Sequence, residues 1–371
     1  MTKTRRIAVV TGTRAEWGLL APIVARLDAT QNCTALIFAA GAHLLPPTMT
    51  VDELPRVNAR IPMQQPGKTG RLADAVALGR GIEGFARAYA EEQPDWVVVL
   101  GDRIEAFAAA AAASVGGIAV AHIHGGDRAE GVADEAMRHA ITKLSHLHLA
   151  ATQQSAERIV RMGEDPKQVH VVGSPAAIGI DKVQALDDAM WGEFGEPSVV
   201  VLLHPTGRGE DAERATAEAV REAVKSERVL WMQPNHDPDR EAIVGVIEEA
   251  ERAGECVARA HVPHAVFRGL LKRLGESGGV LVGNSSAGLI EAALLHCPAV
   301  DIGDRQGGRE RAGNVVHTPG ETAAEIRRAI AEARTIDRAG ITHPYGRGDA
   351  DVRIGELLMG VEPNLRKRNA Y

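Results

Sequence analysis

The sequence is poor in the residues that mark several protein classes. Its three cysteines, Cys33, Cys256 and Cys297, are far apart and form no CxxC pair, which excludes a disulfide framework and a thiolate zinc site. No apolar run reaches the roughly 18 residues of a membrane span, and Arg5 and Arg6 lead directly into a strand pattern rather than a signal-peptide core. We therefore expect a cytoplasmic protein without a membrane partner.

Aromatic residues are also scarce, at 3% of the chain, so Ala, Val, Leu and Ile must build the hydrophobic core. Such a core suits parallel sheets that helices cover on both faces. The net charge of -7 argues against a nucleic-acid partner. The length of 371 residues fits two domains better than one.

What the sequence has instead is a regular alternation of short apolar runs and amphipathic segments. Residues 6–11, for example, form a β-branched run that ends at Gly12 and leads into a helical pattern. The alternation lapses in residues 176–197, where we place the linker. It predicts an α/β fold of two Rossmann-like, doubly wound domains, residues 1–178 and 179–352, with an active-site cleft between them.

Polar residues stand where the predicted strands end, and parallel strands bring such positions to one edge of a sheet. Each residue alone is also compatible with a helix cap or a turn. Together they predict a ligand site that contains Arg14, His43, Asp102, Arg103, His122, His124, His204, Asn235 and Asn284. Residues 44–69 contain several prolines and no periodicity, so we predict a long functional loop there.

The sequence GNSSAGLIEAA predicts an anion site at the start of a helix over residues 286–296. Ser285 is a good N-cap, and Ser286 and Gly288 are small enough for a diphosphate to approach the helix end. Glu291 could accept the hydroxyls of a ribose. The alternative is a capped core helix with a solvated Glu291.

Arginines accompany two of the glycine turns. Arg305, Arg309 and Arg311 follow the last predicted strand and suit either a polyanion or a solvated basic face. Gly12 and Arg14 form no Walker motif, because no GK[ST] follows them. Arg14 could still bind a phosphate or a carboxylate through its guanidinium.

Residues 121–148 combine a glycine turn with many histidines and carboxylates, which indicates a reaction centre. His122 and His124 share one face of a strand, as metal ligands can, but no thiolate or HExxH partner accompanies them. We therefore favour acid–base chemistry without a metal ion.

The helix predicted to begin near Asp134 places two carboxylates one turn away from basic partners. Asp134 and Arg138 share one face, and Glu135 and His139 share a neighbouring face. The first pair is also compatible with a plain i,i+4 contact, whereas Glu135 could be a carboxylate whose pKa its surroundings shift.

Six motifs together resemble one family. They are VTGTRAEWGLL (10–20), GDRIE (101–105), HIHGGD with DEAMRHAITKLSHLH (122–148), VVGSP (171–175), GNSSAGLIEA (283–292) and DIGDRQGGR (301–309). In order and spacing they resemble the hydrolysing UDP-N-acetylglucosamine 2-epimerases of sialic-acid and nonulosonic-acid biosynthesis. The resemblance implies a GT-B-like architecture, a helix of about residues 353–371 packed on the first domain, no cofactor, and a homodimer or homotetramer.

The resemblance also implies a reaction on a UDP-sugar substrate. Anti elimination of UDP gives a 2-acetamidoglucal, and syn addition of water then gives free N-acetylmannosamine. The positions that match the family's catalytic groups or lie beside them are Asp102, Glu135, His204, Asp134, His124 and Asp127. We expect Asp102 and Glu135 to act on the sugar protons and His204 to assist the diphosphate or donate a proton. The expected UDP-binding residues are Arg14, Gly18, His43, Arg103, Arg138, His204, Asn235, Ser285, Ser286, Gly288, Glu291 and Arg305.

The sequence departs from the family pattern at three positions. Asp127 stands where Glu is usual, His124 where branches differ between Glu and His, and Ala176 where Gly is common. UDP-2,4-diacetamido-2,4,6-trideoxyglucose and GDP-linked amino sugars are therefore alternative substrates. Other possible functions are a non-hydrolysing 2-epimerase, a GT-B glycosyltransferase and a nucleotide-sugar-binding regulator, and the pair of acid–base carboxylates argues against the last two.

Overall fold

The computed structural model describes residues 4–46, 49–68, 70–128, 134–235 and 237–370. The chain divides into two compact units, one formed by residues 1–127, 133–178 and 345–371, and the other mainly by residues 179–344. We call them the first and the second domain and describe each by itself.

The first domain is a parallel sheet with the strand order β3-β2-β1-β4-β5-β6-β7 among the described residues. The strands are β1 Arg5–Thr11, β2 Cys33–Ala40, β3 Ala59–Ile61, β4 Trp96–Leu100, β5 Ala119–Ile123, β6 Leu147–Ala150 and β7 Val169–Val171. The α-helices of the first half of the chain are α1 Arg14–Asp28, α2 Arg71–Glu92, α3 Ile104–Val115, α4 Asp134–Leu144 and α5 Gln153–Arg161.

The apolar strands of this sheet bury side chains on both faces. Ile7 and Val9 join the hydrophobic cluster on one face, and Ala8 and Val10 join the cluster on the other. All four are at most 4% exposed. Because side chains alternate along a strand, a continuous apolar run is what a sheet covered on both faces requires.

The second domain repeats this plan with the strand order β10-β9-β8-β11-β12-β13 in its described part. Its strands are β8 Val199–Leu202, β9 Val229–Met232, β10 Val257–Arg259, β11 Val280–Gly283, β12 Ala299–Ile302 and β13 Val315–Thr318. The helices that follow α5 in the chain are α6 Asp188–Glu193, α7 Glu210–Val224, α8 Arg240–Arg252, α9 His264–Glu276, α10 Ser286–Leu289, α11 Glu291–Leu294, α12 Ala323–Ala333 and α13 Ala350–Gly360.

Helix α13 belongs to the first domain, where Ile354 and Leu358 are buried in the cluster that contains α1. It is shorter than the predicted 353–371. It ends at Gly360, and Pro363 cannot continue a helix. Among the described residues, none of the helices is long and apolar enough to cross a membrane.

Two other boundaries differ from the predictions. The predicted loop over residues 44–69 contains a 3₁₀ turn at Thr50–Glu53 and the edge strand β3. The predicted helix over residues 286–296 is wrong in its continuity, because Ile290 (φ -103°, ψ -73°) separates α10 from α11. Gly288 and the β-branched Ile290 are poor helix formers, so the helix is weakest at this point.

Candidate functional site

At the carboxyl ends of β1 and β2, the side chain of Glu105 fills the space between the glycine turns at Gly12 and Gly41. Glu105 is 1% exposed. A Cβ on Gly12 would lie 2.8 Å from its Cγ, and a Cβ on Gly41 would overlap its Oε1. Gln64 donates to Oε1 at 2.9 Å, and the Arg103 Nε lies 3.3 Å from Oε2. A buried carboxylate thus holds Arg103, one of the expected UDP-binding residues.

A second buried carboxylate, Glu16, caps the start of α1. Its Oε2 accepts from the backbone N–H of Gly12 at 2.6 Å and of Thr13 at 3.2 Å, and Thr13 completes the capping box. Burial, and then the charge of Glu105, raise the pKa of Glu16 to about 7. Gly18, an expected UDP-binding residue, lies two positions further along α1 and is partly buried.

The other two candidates of this region have partners within the first domain. Arg14 forms an ion pair with Glu53. His43 is 1% exposed, with its Nε2 3.0 Å from Thr11 Oγ1 and its Nδ1 2.7 Å from Thr50 Oγ1. Burial lowers the pKa of His43, which keeps the ring neutral.

The acid–base candidates that follow β4 and β5 converge on Arg138. Its guanidinium is 4% exposed, bonds to Asp102 and lies 3.8 Å from Asp127 Oδ2. Asp127 also accepts from His124 Nδ1 at 2.8 Å and from Ser155 Oγ at 2.7 Å. A guanidinium between two carboxylates favours their ionised forms. The structure therefore groups Arg138, expected to bind UDP, with the acid–base candidates.

His124 and Asp127 are enclosed in the first domain. His124 adopts the left-handed conformation (φ 63°), and its Nε2 lies 3.1 Å from Ser174 Oγ. The two residues are 6% and 5% exposed. This geometry suits residues that position their neighbours better than it suits groups that touch a sugar. Asp102 is more accessible, since its side chain is 20% exposed.

His122 is completely buried in β5. Its Nε2 lies 2.8 Å from the carbonyl of Gly101, and its Nδ1 lies 3.2 Å from Thr142 Oγ1. Burial lowers the pKa of His122 to about 3, so the ring is neutral. His122 is thus a structural link between β5, the end of β4 and α4. No set of three His, Cys, Asp or Glu residues in the described ranges is arranged to hold a metal ion.

Glu135 stands in the first turn of α4 and is accessible. Its Oε1 lies 3.4 Å from His139 Nε2, and the two side chains are 18% and 31% exposed. The predicted one-turn pairing of these residues is confirmed. Helix α4 begins at Asp134 as predicted, but the side chain of Asp134 lies outside the described residues.

In the second domain, the side chain of Asn284 forms two hydrogen bonds with the backbone of His204, which lies just after β8. The N–H of His204 donates to Asn284 Oδ1 at 2.7 Å, and Asn284 Nδ2 donates to the carbonyl of His204 at 2.8 Å. His204 Nδ1 accepts from the N–H of Asn235 at 3.1 Å, so Nε2 carries the ring hydrogen. Burial, and then the charge of Arg305, lower the pKa of His204 to about 3. His204 is therefore a neutral hydrogen-bond donor.

Arg305 extends this group. Its Nη1 donates to the carbonyl of Asn284 at 3.3 Å, and its Nη2 lies 3.7 Å from Asp237 Oδ2. Asn235 Nδ2 donates to the same carboxylate at 2.6 Å. The candidates from the ends of β8, β9, β11 and β12 therefore form one connected group, as the strand-end pattern predicted.

The turn after β11 is tight, because Gly283 (φ 151°) lies where a Cβ would overlap the carbonyl oxygen of Leu202. Ser285 is the N-cap, as predicted, and its Oγ accepts from the N–H of Ala287 at 3.4 Å. The next helix, α10, has only four residues, so it adds little of the dipole expected from a long helix.

Glu291, Arg309 and Arg311 all have charged or polar neighbours. Glu291 lies close enough to His264 and Arg268 of α9 for its charge to oppose the lowering of their pKa values by burial. Arg311 donates to Asp301 Oδ2 at 2.7 and 2.9 Å, and Arg309 donates to Gln306 at 2.8 Å. Arg305 donates directly to the carbonyl of Asn284, whereas Arg309 is linked to the same carbonyl through Gln306.

The sequence did not single out several groups that complete these sites: Glu16, Glu105, Gln64, Asp237 and Ser174. Glu105 could have been noticed as the last residue of GDRIE, and Ser174 as part of VVGSP. The sequence carried no signal for the contact of Gln64 with Glu105 or of Asp237 with Arg305, because these partners are distant in the chain.

A family model described as UDP-N-acetylglucosamine 2-epimerase matches residues 25–359. A UDP-N,N'-diacetylbacillosamine 2-epimerase (hydrolyzing) of Legionella pneumophila is 32% identical, with 99% of this chain and 100% of the relative covered. A UDP-N-acetylglucosamine 2-epimerase of Neisseria meningitidis is 30% identical, with 96% of each covered. A GDP/UDP-N,N'-diacetylbacillosamine 2-epimerase (hydrolyzing) of Campylobacter jejuni is 26% identical, with 84% of each covered.

Solved structures show the same fold. The UDP-GlcNAc 2-epimerase of Methanocaldococcus jannaschii in complex with UDP-GlcNAc and UDP superposes with a TM-score of 0.81 at 19% identity, covering 96% of this chain and 100% of that one. The Neisseria meningitidis enzyme bound to UDP-GlcNAc gives a TM-score of 0.78 at 20% identity, with 96% and 100% covered. The predicted fold class, two Rossmann-like domains of the GT-B type, is confirmed.

Proposed function

The chain belongs to the UDP-N-acetylglucosamine 2-epimerase family, and we propose that it is a hydrolysing member that converts a UDP-linked 2-acetamido sugar into UDP and the free C2 epimer. The observation that carries the proposal is Arg138, which is 4% exposed, pairs with Asp102 and lies 3.8 Å from Asp127, on the helix that also carries Glu135. The Legionella pneumophila relative, whose name includes hydrolyzing, supports release of the nucleotide.

The first step removes the weakly acidic proton at C2, which needs a base within about 3 Å. Asp102 and Glu135 have partly exposed side chains, at 20% and 18%. Arg138 pairs with Asp102 and holds its carboxylate at the end of β4. We assign Asp102 and Glu135 to removal and return of the sugar protons, and Asp134 is a further candidate by resemblance.

The departing diphosphate develops negative charge, which preorganised donors stabilise. In the second domain we assign this role to the Nε2–H of His204 and the guanidinium of Arg305, with Ser285 and Ser286 at the turn after β11. Because His204 is neutral and its Nδ1 accepts from Asn235, we assign it a hydrogen bond from Nε2–H to the diphosphate rather than the transfer of a proton.

UDP-N-acetylglucosamine, giving N-acetylmannosamine, is our first candidate substrate. The diacetylated trideoxy sugar is the second, since the Legionella pneumophila and Campylobacter jejuni relatives are named for it, and the latter name adds a GDP form. A panel of UDP- and GDP-linked amino sugars, followed by NMR for nucleotide release and free sugar, tests the proposal. Formation of UDP-N-acetylmannosamine without free UDP would instead identify a non-hydrolysing epimerase.

The substitution Glu135→Gln tests the acid–base assignment. It removes the carboxylate while keeping the size of the side chain, so exchange of the C2 hydrogen for deuterium in heavy water should cease. His139→Gln, which removes the partner and keeps the carboxylate, is the matched control and should retain exchange. Persistent exchange in the Glu135 variant would contradict the acid–base role of Glu135.

We also propose, from the family resemblance, that the enzyme is a homodimer or homotetramer and works in the cytoplasm in the synthesis of a nonulosonic acid. Light scattering of the purified chain gives the mass of the assembly. A monomeric mass in the presence of substrate would contradict the first part.

A further inference from the structure

Residues 361–370, which we call the return segment, follow α13 and bring Lys367 to the C-terminal end of α4. Lys367 donates from Nζ to the carbonyls of Thr142, Lys143 and Ser145 at 3.1, 2.6 and 2.6 Å. These carbonyls lie at the end of α4, where helices leave acceptors unsatisfied and where a cation is favoured by the helix dipole. One ammonium therefore caps the helix that carries Glu135.

A buried carboxylate fixes Lys367 in this position. Glu164 is 2% exposed, and its oxygens lie 2.8 Å from Lys367 Nζ, 2.5 Å from Lys143 Nζ and 3.0 Å from His148 Nε2. Burial raises the pKa of Glu164, but the hydrogen bonds from His148, Lys143 and Lys367 outweigh it and lower the pKa to about 2. Lys143 Nζ also donates to Asn369 Oδ1 of the return segment at 2.9 Å.

We propose that Lys367 is a positioning residue for the reaction: by capping α4 it fixes the helix that presents Glu135 and Arg138. The helix has 11 residues, about 16 Å at 1.5 Å per residue. A small change of its axis at the capped end therefore moves the Glu135 carboxylate. Thr142, whose carbonyl accepts from Lys367, also contacts His122 through Oγ1 at 3.2 Å, so the cap is tied to β5 as well.

The role in catalysis rests on the proposed function, whereas the capping of α4 does not. The test therefore has two readouts in Lys367→Met, which removes the ammonium and keeps most of the aliphatic chain. We expect kcat to fall about ten- to a hundredfold with KM within about twofold, since a misplaced catalytic group lowers the rate by such factors. Amide hydrogen exchange of α4 should accelerate by about tenfold, as expected from loss of a helix-end cation.

Two control variants distinguish loss of the cap on α4 from loss of a positive charge elsewhere in this region. Lys143→Met removes another partner of Glu164 but no donor to the end carbonyls of α4, and Arg366→Met removes an exposed charge of the same segment. Arg366→Met should leave kcat and α4 exchange within about twofold of the parent, and Lys143→Met, which removes a second cation of the last turn of α4, should change both less than Lys367→Met does. If Lys367→Met fails to fold, Lys367→Gln, which retains a neutral donor, is measured instead and should change both readouts in the same direction.

The outcomes are distinguishable. Unchanged exchange of α4 in the Lys367 variant overturns the capping, and accelerated exchange with unchanged kcat overturns the positioning role. Equal loss of kcat in Lys143→Met and Lys367→Met also overturns it, because the ion cluster alone would then explain the effect. If the parent protein acts on no nucleotide sugar of the panel, the proposed function fails while the exchange result still decides the capping.

Discussion

Arg138→Met should be among the most damaging single substitutions in the first domain. Arg138 is 4% exposed and is shared by Asp102 and Asp127, so its removal leaves carboxylates without their cation. Breaking a buried ion pair from one side lowers the free energy of unfolding by about 3–5 kcal/mol. At about 2–4 °C per kcal/mol for a domain of this size, Tm should fall by about 6–20 °C.

Thermal unfolding followed by circular dichroism measures this effect. The matched control is Arg87→Met, because Arg87 pairs with Glu83 where the two side chains are 76% and 65% exposed, and such surface pairs contribute only about 0.3–0.5 kcal/mol. Adding Asp127→Asn to Arg138→Met should restore part of the loss, since it removes one uncompensated charge. A Tm for Arg138→Met within about 2 °C of the parent would refute the buried-charge argument.

Three further predictions concern the glycine turns and His204. Folding raises the pKa of Glu16 from 4.5 to about 7, so the ionisation of Glu16 destabilises the folded state as pH rises through this range. Between pH 5 and 8 the free energy of unfolding of Glu16→Gln should therefore increase by up to about 3 kcal/mol relative to that of the parent. A difference in urea unfolding that does not change with pH would contradict this. Gly41→Ala should lower Tm more than Gly67→Ala. Both glycines have positive φ, but an added Cβ overlaps Glu105 at Gly41 and meets nothing within 4 Å at Gly67. Equal losses of Tm would mean that the strained backbone conformation alone, and not the overlap with Glu105, causes the effect. His204→Phe should lower kcat/KM by about 10²–10³, as loss of one transition-state donor does. Because the pKa of His204 is lowered to about 3, the substitution should remove no limb of the pH profile between pH 5 and 8, and disappearance of a limb near 6 to 7 would show that His204 does transfer a proton.

The repeated parts of the fold were predictable from local patterns. The apolar runs around Val9 and around Val98 form strands because both faces of the sheet are covered. Thr13 and Ser285 cap helices because their hydroxyls accept from nearby backbone N–H groups. The edge strand β3 was not predicted, since its pairing with β2 depends on neighbours that periodicity does not report. The break at Ile290 was not predicted either, because the low helix propensity of Gly288 and Ile290 weakens the helix locally but does not by itself interrupt it.

Local sequence patterns are enough to predict two parallel α/β domains, the polar strand ends and the family, because the hydrophobic period, the turn residues and the order of the motifs are properties of neighbouring residues. Which side chains share a site follows from tertiary packing instead. It joined Arg138 to Asp102 and Asp127, and His204 to Asn284. It also brought Lys367 to the end of α4, more than 200 residues away in the chain. Such contacts depend on how strands and helices pack, and that packing sets the burial and the charge from which the chemistry follows.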